Sequence, residues 1–307
     1  MRIVFMGTPD FAVASLRAIV EASFNVVGVV TAADKPAGRG LKLTESAVKQ
    51  YATEQGLYIL QPEKLKNPEF VNALRALQAD VQVVVAFRML PEIVWNMPAL
   101  GTINVHGSLL PKYRGAAPIN WAVINGEKET GVTTFRLKHE IDTGNILMQR
   151  SFPIAPNETA GEVHDRMKII GAELLVETLK GIQAGTLQET PQQYTKDFPH
   201  APKIFTETCR IDWTQPADQV YNLVRGLSPY PGAFTTFEGK TLKVIRAEKL
   251  YDTINVPAGE FESDGKSYLR FAAADGYLNI TELQLEGKKK MPVIDFLRGY
   301  RFTTKQL

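Results

Sequence analysis

A chain of 307 residues with 44% hydrophobic and 22% charged content has enough apolar material for a large core plus a smaller appended domain, which excludes a disordered or fibrous protein. A formal net charge of only +2 excludes a polycation, so any nucleic-acid contact has to come from a local basic patch. The single cysteine, Cys209, excludes an intramolecular disulfide and fits a reducing cytoplasm.

The chain enters a strand pattern at once, with no apolar leader and no cleavage site. Apolar runs such as Val81 to Phe87 are too short to span a bilayer. Residues 2–6 read as a buried strand, Gly7-Thr8-Pro9-Asp10 as a turn, and Phe11 to Ala22 as a helix with apolar positions at Val13, Leu16, Ile19 and Val20. A second strand over Val26–Thr31 completes a β-α-β opening. That pattern predicts a doubly wound, mostly parallel α/β sheet of Rossmann type. The first turn lacks G-x-G-x-x-G, so dinucleotide binding is not expected.

Asp34 to Lys42 is rich in Pro and Gly and reads as a loop, either plainly solvated or presenting Lys35, Arg39 and Lys42 to phosphates or base edges. Helices follow over 45–55 and 68–78 and strands over 58–61 and 81–86, the last nearly all β-branched, as in a central parallel strand. Phe87-Arg88-Met89-Leu90 continues from its carboxyl end. Strands are predicted over 102–106, 131–137 and 146–152, and helices over 119–125, with Gly126 as cap, and 159–183, capped by Asn157 or Thr159.

Residues 188–208, with three prolines and little periodicity, read as a linker. Beyond a helix near 217–227, short strands alternating with turns suggest a small OB-like β-barrel ending in the basic run Lys288-Lys289-Lys290, with Arg298, Arg301 and Lys305 after it. The expected division is 1–187, a linker over 188–208, and 209–307. Neither Cys209, His164 nor His200 belongs to a set with metal-ligand spacing, so no metal is expected.

The chemistry concentrates in Asn104-Val-His-Gly-Ser-Leu-Leu-Pro-Lys-Tyr-Arg-Gly-Ala-Ala-Pro118. Alternation along the strand puts Asn104 and His106 on one face, at the carboxyl edge where open α/β sheets bind ligands. An amide and an imidazole there can stabilise an oxyanion and handle protons, whereas the plain alternative is a structural strand-end histidine. Downstream, Asp142-Thr-Gly144 fits a turn or supplies a carboxylate to the same site.

Asn-x-His, then Ser-Leu-Leu-Pro-x-Tyr-Arg-Gly-Ala-Ala-Pro, then Asp-Thr-Gly, resembles the formyltransferases that use 10-formyltetrahydrofolate, over nearly the whole chain. The resemblance implies an enzyme that moves the formyl group of 10-formyltetrahydrofolate to an amine, with Asn104, His106 and Asp142 as catalytic residues. Phe87, Arg88, Met89, Leu90, Ser108, Leu109, Leu110 and Pro111 would hold the folate. Phe87-Arg88-Met89-Leu90 departs from the Ala-Tyr-Gly common in the tRNA branch and is closer to the purine-pathway formyltransferases.

The resemblance is strongest to the branch acting on methionine carried by initiator tRNA. There Lys35, Arg39 and Lys42 would grip the acceptor end, and Lys288, Lys289 and Lys290 would contact RNA. It further implies a cytoplasmic enzyme, and a monomer is expected. A sugar-nucleotide N-formyltransferase and a non-catalytic RNA-binding protein on the same scaffold are the competing readings.

Overall fold

The structure, a computed structural model, describes residues 1–37, 42–193 and 195–302. The chain forms two compact units, each assembled from separated segments. The first comprises Met1–Gly115, Gly131–Phe152 and His164–His200. Its elements in chain order are β1 (Arg2–Gly7), α1 (Asp10–Glu21), β2 (Asn25–Val30), β3 (Lys35–Ala37), β4 (Lys42–Thr44), α2 (Ala47–Glu54), β5 (Ile59–Leu60), α3 (Pro68–Ala76), β6 (Val81–Val85), α4 (Glu92–Trp95), β7 (Thr102–His106) and β8 (Arg114–Gly115). Then come α5 (Pro118–Ile124), which belongs to the second unit, and β9 (Glu129–Arg136), β10 (Ile146–Pro153), α6 (Ala160–Ala184) and β11 (His200–Ala201).

Seven strands make one sheet in the order β10-β9-β7-β6-β1-β2-β5. The pairs β5–β2, β2–β1, β1–β6 and β6–β7 are parallel, and β9 joins β7 antiparallel. The mostly parallel α/β architecture expected from the opening β-α-β is therefore present. Parallel strands are covered on both faces, and β1 and β6 accordingly bury Val4, Met6 and Val84 against Phe70, Val71 and Leu74 of α3. A Cβ at Gly7 would lie 2.6 Å from the Cβ of Ala12 and 3.0 Å from the carbonyl oxygen of Val85, so close packing of α1 on the sheet accounts for that glycine.

Helix starts follow side-chain chemistry. Ser46 Oγ accepts from the Lys49 amide at 3.0 Å, and Asn67 caps α3 with Pro68 in its first turn. For α6, Thr159 and Glu162 form a reciprocal capping box, the carboxylate accepting from the Thr159 amide at 2.8 Å. Thr159 is thus the cap.

One expectation needs correction. The segment from Asp34 to Lys42 is not wholly loop: Lys35–Ala37 pairs antiparallel with Lys42–Thr44. Two three-residue strands closed on each other carry no periodicity that a sequence pattern can report. Arg39 lies outside the described residues.

The second unit comprises Ala116–Thr130, Pro153–Val163 and Ala201–Leu307. After a short turn of 3₁₀-helix at Glu207–Cys209 it contains α7 (Ala217–Gly226), β12 (Ala233–Phe237), β13 (Lys240–Leu250), β14 (Phe261–Ser263), β15 (Leu269–Ala272), β16 (Tyr277–Leu285), β17 (Met291–Pro292) and α8 (Val293–Gly299). The strands form an antiparallel half-barrel in the order β12-β13-β16-β15-β14, with β17 on β16. Phe237 stands at the centre of its core, ringed by Phe261, Phe271, Phe296, Tyr300 and Phe302. Within this unit α5 lies on α7, where Asn120 donates to the Gly226 carbonyl at 2.8 Å. The approach depends on Gly226, whose Cβ would meet the backbone nitrogen of Ile124 at 2.9 Å.

Candidate active site

β7 sits between β6 and β9, with Asn104 opposite Phe135 and His106 opposite Thr133. His106 is only 7% exposed and meets the Phe135 ring edge-on at 6.3 Å. Its Nε2 is 2.9 Å from the carbonyl oxygen of Tyr113. A carbonyl can only accept, so Nε2 carries a hydrogen and donates. This leaves Nδ1 as the ring nitrogen that faces Asp142, whose Oδ2 is 3.8 Å away. The gap is too long for a direct hydrogen bond. A single nitrogen or oxygen atom placed to one side can nevertheless sit ~2.9 Å from both groups.

Asp142 occupies the turn between β9 and β10 with a left-handed φ of 54°. Its Oδ2 accepts from the Gly115 amide at 2.9 Å. Gly144, two residues on, is fixed by sterics, since a Cβ there would fall 1.5 Å from the carbonyl oxygen of Arg136. The Asp-Thr-Gly signature is thus a tight turn that ends in close backbone packing and carries a carboxylate to His106.

Asn104 is half-buried, and its side-chain amide forms no hydrogen bond among the described residues. It shares the strand face with His106, two residues away. An amide left unpaired beside an imidazole is available to a ligand.

The loop after His106 is held by Thr133. Its hydroxyl donates to the Ser108 carbonyl at 2.7 Å and accepts from the Leu110 amide at 3.1 Å and from Gln149 Nε2 at 2.9 Å. Ser108 is fully buried and donates to the Lys112 carbonyl at 2.7 Å, and Leu110 is likewise buried. These two side chains therefore shape the loop from within, while Leu109 and Pro111 keep partial exposure.

Following β6, Ala86 takes a left-handed φ of 47°, Met89 is 75% exposed, and Leu90 turns into the core. Arg88 is committed to main chain, donating to the carbonyls of Pro62 and Glu63. Phe87 is half-buried beneath its guanidinium.

Of the residues proposed for RNA, Lys35 is exposed at the start of the hairpin, and Lys42 is placed by its backbone in β4. Lys288, Lys289 and Lys290 are all exposed after β16, with Lys290 3.2 Å from Glu282. The base of the hairpin is anchored: Asp34 binds Lys49 on α2 and accepts from Gln61 at 2.8 Å. The hydrogen bond from Lys49, then that from Gln61, holds the Asp34 carboxyl below the usual carboxylate range.

Burial raises the Cys209 thiol above its ordinary value, which argues against a nucleophile. Among the described residues no group of three or more His, Cys, Asp or Glu is placed to hold a metal, and no helix is long and apolar enough to cross a membrane.

Sequence reasoning did not single out Gln192. Its Nε2 donates to the carbonyls of Asp142 at 2.9 Å and Gly144 at 2.7 Å, and its Oε1 accepts from Arg114 Nε and Nη2 at 3.1 and 2.7 Å. Arg114 is thereby tied to the Asp142 turn.

A mostly parallel α/β sheet thus presents Asn104 and His106 on β7, with the Asp142 carboxylate facing His106, and offers a ligand one hydrogen-bond donor and a pair of proton acceptors. The family models described as formyl transferase and formyl transferase, C-terminal domain, match residues 1–179 and 203–301, and the chain belongs to the formyl transferase family. It is 57% identical to the methionyl-tRNA formyltransferase of Parabacteroides distasonis, across 98% of this chain and 96% of that one. To the methionyl-tRNA formyltransferase of Bacteroides thetaiotaomicron it is 53% identical, across 99% and 97%. Among solved structures, the sugar 3N-formyl transferase WlaRD superposes with a TM-score of 0.68 at 21% identity, covering 94% of this chain and 99% of that one. At that identity the likeness is one of fold.

Proposed function

We infer that the chain transfers the formyl group of 10-formyltetrahydrofolate to the α-amino group of methionine esterified to initiator tRNA, giving formylmethionyl-tRNA for translation initiation. Full-length identity to methionyl-tRNA formyltransferases supports the acceptor. The observation that carries the chemistry is the gap between His106 Nδ1 and Asp142 Oδ2 beside the unpaired amide of Asn104.

A neutral amine has two hydrogens and one lone pair. Placed across that gap, it donates one hydrogen to each of the two acceptors and directs its lone pair at the formyl carbon. Attack puts negative charge on the formyl oxygen and positive charge on the amine. Asn104 donates its side-chain N–H to that oxygen, a contribution of the kind whose removal costs ~10²–10³-fold in rate. His106 Nδ1 takes the amine's proton, because Nε2 already carries the hydrogen held by Tyr113. The Asp142 carboxylate steadies the imidazolium that results and shares in returning the proton to N10 of the departing folate.

The folate donor lies along Phe87–Leu90 and Ser108–Pro111. Met89 offers exposed apolar surface and Leu109 and Pro111 partly exposed surface, while Arg88, Leu90, Ser108 and Leu110 act by shaping the two loops. Lys35, Arg39 and Lys42 engage the acceptor end of the tRNA, and Lys288–Lys290 its backbone. No metal takes part. The functional division is 1–187, 188–208 and 209–307, a reading supported by family matches that end at 179 and resume at 203. The reading includes a cytoplasmic enzyme that acts as a monomer.

Single-turnover transfer from 10-formyltetrahydrofolate to initiator Met-tRNA, elongator Met-tRNA and an amino-sugar nucleotide tests the acceptor, with Arg39→Ala alongside. Rapid transfer to initiator Met-tRNA alone, weakened in the variant, is the expected result. Transfer to the sugar nucleotide would overturn the acceptor, and RNA binding with no transfer would overturn the enzyme.

A further inference from the structure

We propose that Gln192 is a positioning residue for the reaction, holding the Asp142 carboxylate against His106 from within a segment that reads as a linker. The proposal rests on the catalytic reading above for its activity arm only.

The amide of Gln192 has two donor hydrogens and one acceptor oxygen with two lone pairs. All are used: both hydrogens go to main-chain carbonyls of the turn, those of Asp142 and Gly144, and the oxygen receives two N–H groups from Arg114. Carbonyls only accept and guanidinium only donates, so one orientation of the amide satisfies the set. Arg114 directly precedes Gly115, whose amide donates to Asp142 Oδ2. One planar amide therefore ties both strands of the clamp, the turn that carries the carboxylate and the segment that donates to it.

The turn requires an external hold. Asp142 takes a left-handed φ of 54°, uncommon for a residue other than glycine. Neighbours of Gln192 reinforce it. Thr190 and Ile146 exchange both main-chain hydrogen bonds, at 2.8 and 2.9 Å, and Glu189 accepts from Arg136 at 2.8 Å and from Asn145 at 3.1 Å. The Pro199 carbonyl accepts the amide of Tyr113, the residue whose own carbonyl fixes the His106 tautomer. Glu189, Thr190, Gln192 and Pro199 thus brace both His106 and Asp142. Gln192 bonds to the main chain of the turn and not to the Asp142 carboxylate or His106, so it acts through Asp142.

Gln192→Met keeps length and volume while removing every polar contact. Three readouts are taken, with the exposed neighbour Gln193→Ala as control. Single-turnover transfer at saturating substrates should fall ~10–100-fold, since a displacement near 1 Å costs about that much. The same substitution on an Asp142→Ala background should add less than about twofold, because residues acting as one unit are not additive. Amide hydrogen exchange across 138–146 and at Gly115 should quicken by about tenfold or more in the Met variant, a readout that needs no substrate. Gln193→Ala should match wild type in all three. Wild-type exchange in Gln192→Met, or an equal loss of rate with and without Asp142, overturns the proposal. A wild-type enzyme silent toward Met-tRNA overturns the acceptor reading instead, and the exchange measurement then decides the proposal alone.

Discussion

Gly144→Ala perturbs the site through backbone sterics and nothing else. The added methyl would land 1.5 Å from the Arg136 carbonyl oxygen and 2.7 Å from its carbonyl carbon. Real Cβ atoms keep at least ~3 Å, so the turn has to retreat by roughly 1.5 Å. The obstacle is main chain of β9, which is paired with β7 and cannot yield as a side-chain tip would. Retreat draws the Gly144 carbonyl from Gln192, now at 2.7 Å, and the Asp142 carboxylate from the Gly115 amide, now at 2.9 Å.

Overpacking of this kind costs about 1–3 kcal/mol of stability. Displacing Asp142 by about 1 Å lowers formyl transfer by ~100-fold, or about 2.7 kcal/mol on the barrier. The assay is quenched single-turnover transfer with both substrates saturating, with a thermal melt on the same preparation. Transfer within about twofold of wild type in the folded Gly144→Ala protein would refute the argument that backbone packing at this glycine sets the position of the carboxylate.

Other consequences follow from the same contacts. Thr133→Val strands the Ser108 carbonyl and the Leu110 amide in a buried loop, and denaturant unfolding should show a loss of about 1–3 kcal/mol. Asp34→Asn loosens the start of β3 from Lys49 on α2, so steady-state kinetics should show KM for Met-tRNA rising several-fold with kcat little changed. Burial, then its hydrogen bond to Glu238 at 2.5 Å, pushes Tyr300 up to about 12 from an ordinary value near 10. The folded state keeps that proton after the unfolded chain has released its own. Stability from this group is therefore complete below pH ~10 and lost as pH rises toward 12, an alkaline sag that Tyr300→Phe should abolish in denaturation measured across this window.

The elements that position the chemistry were legible because their signals are local. Strand 102–106 was read with the bounds it has, and face alternation placed Asn104 beside His106. The β-branched run at 81–85 and the apolar spacing of α1 gave the parallel sheet. What escaped depends on partners distant in sequence. The strands at 35–37 and 42–44 exist through each other, and Phe261–Ser263 exists through β15. Helix α8 was hidden in a stretch read for its charge. Gln192 was invisible because a glutamine in an aperiodic, proline-flanked segment gives no pattern, and its meaning lies in carbonyls some 50 residues away. The short segments 116–130 and 153–163 group with the second unit for the same reason, through contacts that no contiguous reading of the chain displays.

The most direct test of the account is the single-turnover rate of formyl transfer to initiator Met-tRNA for Asn104→Ala, His106→Ala and Asp142→Ala, with both substrates saturating. Losses of ~10²-fold or more in each, with substrate affinity retained, are the predicted result. Near-wild-type rates in all three would contradict it, and the reacting atoms would then have to be sought away from the carboxyl edge of β7.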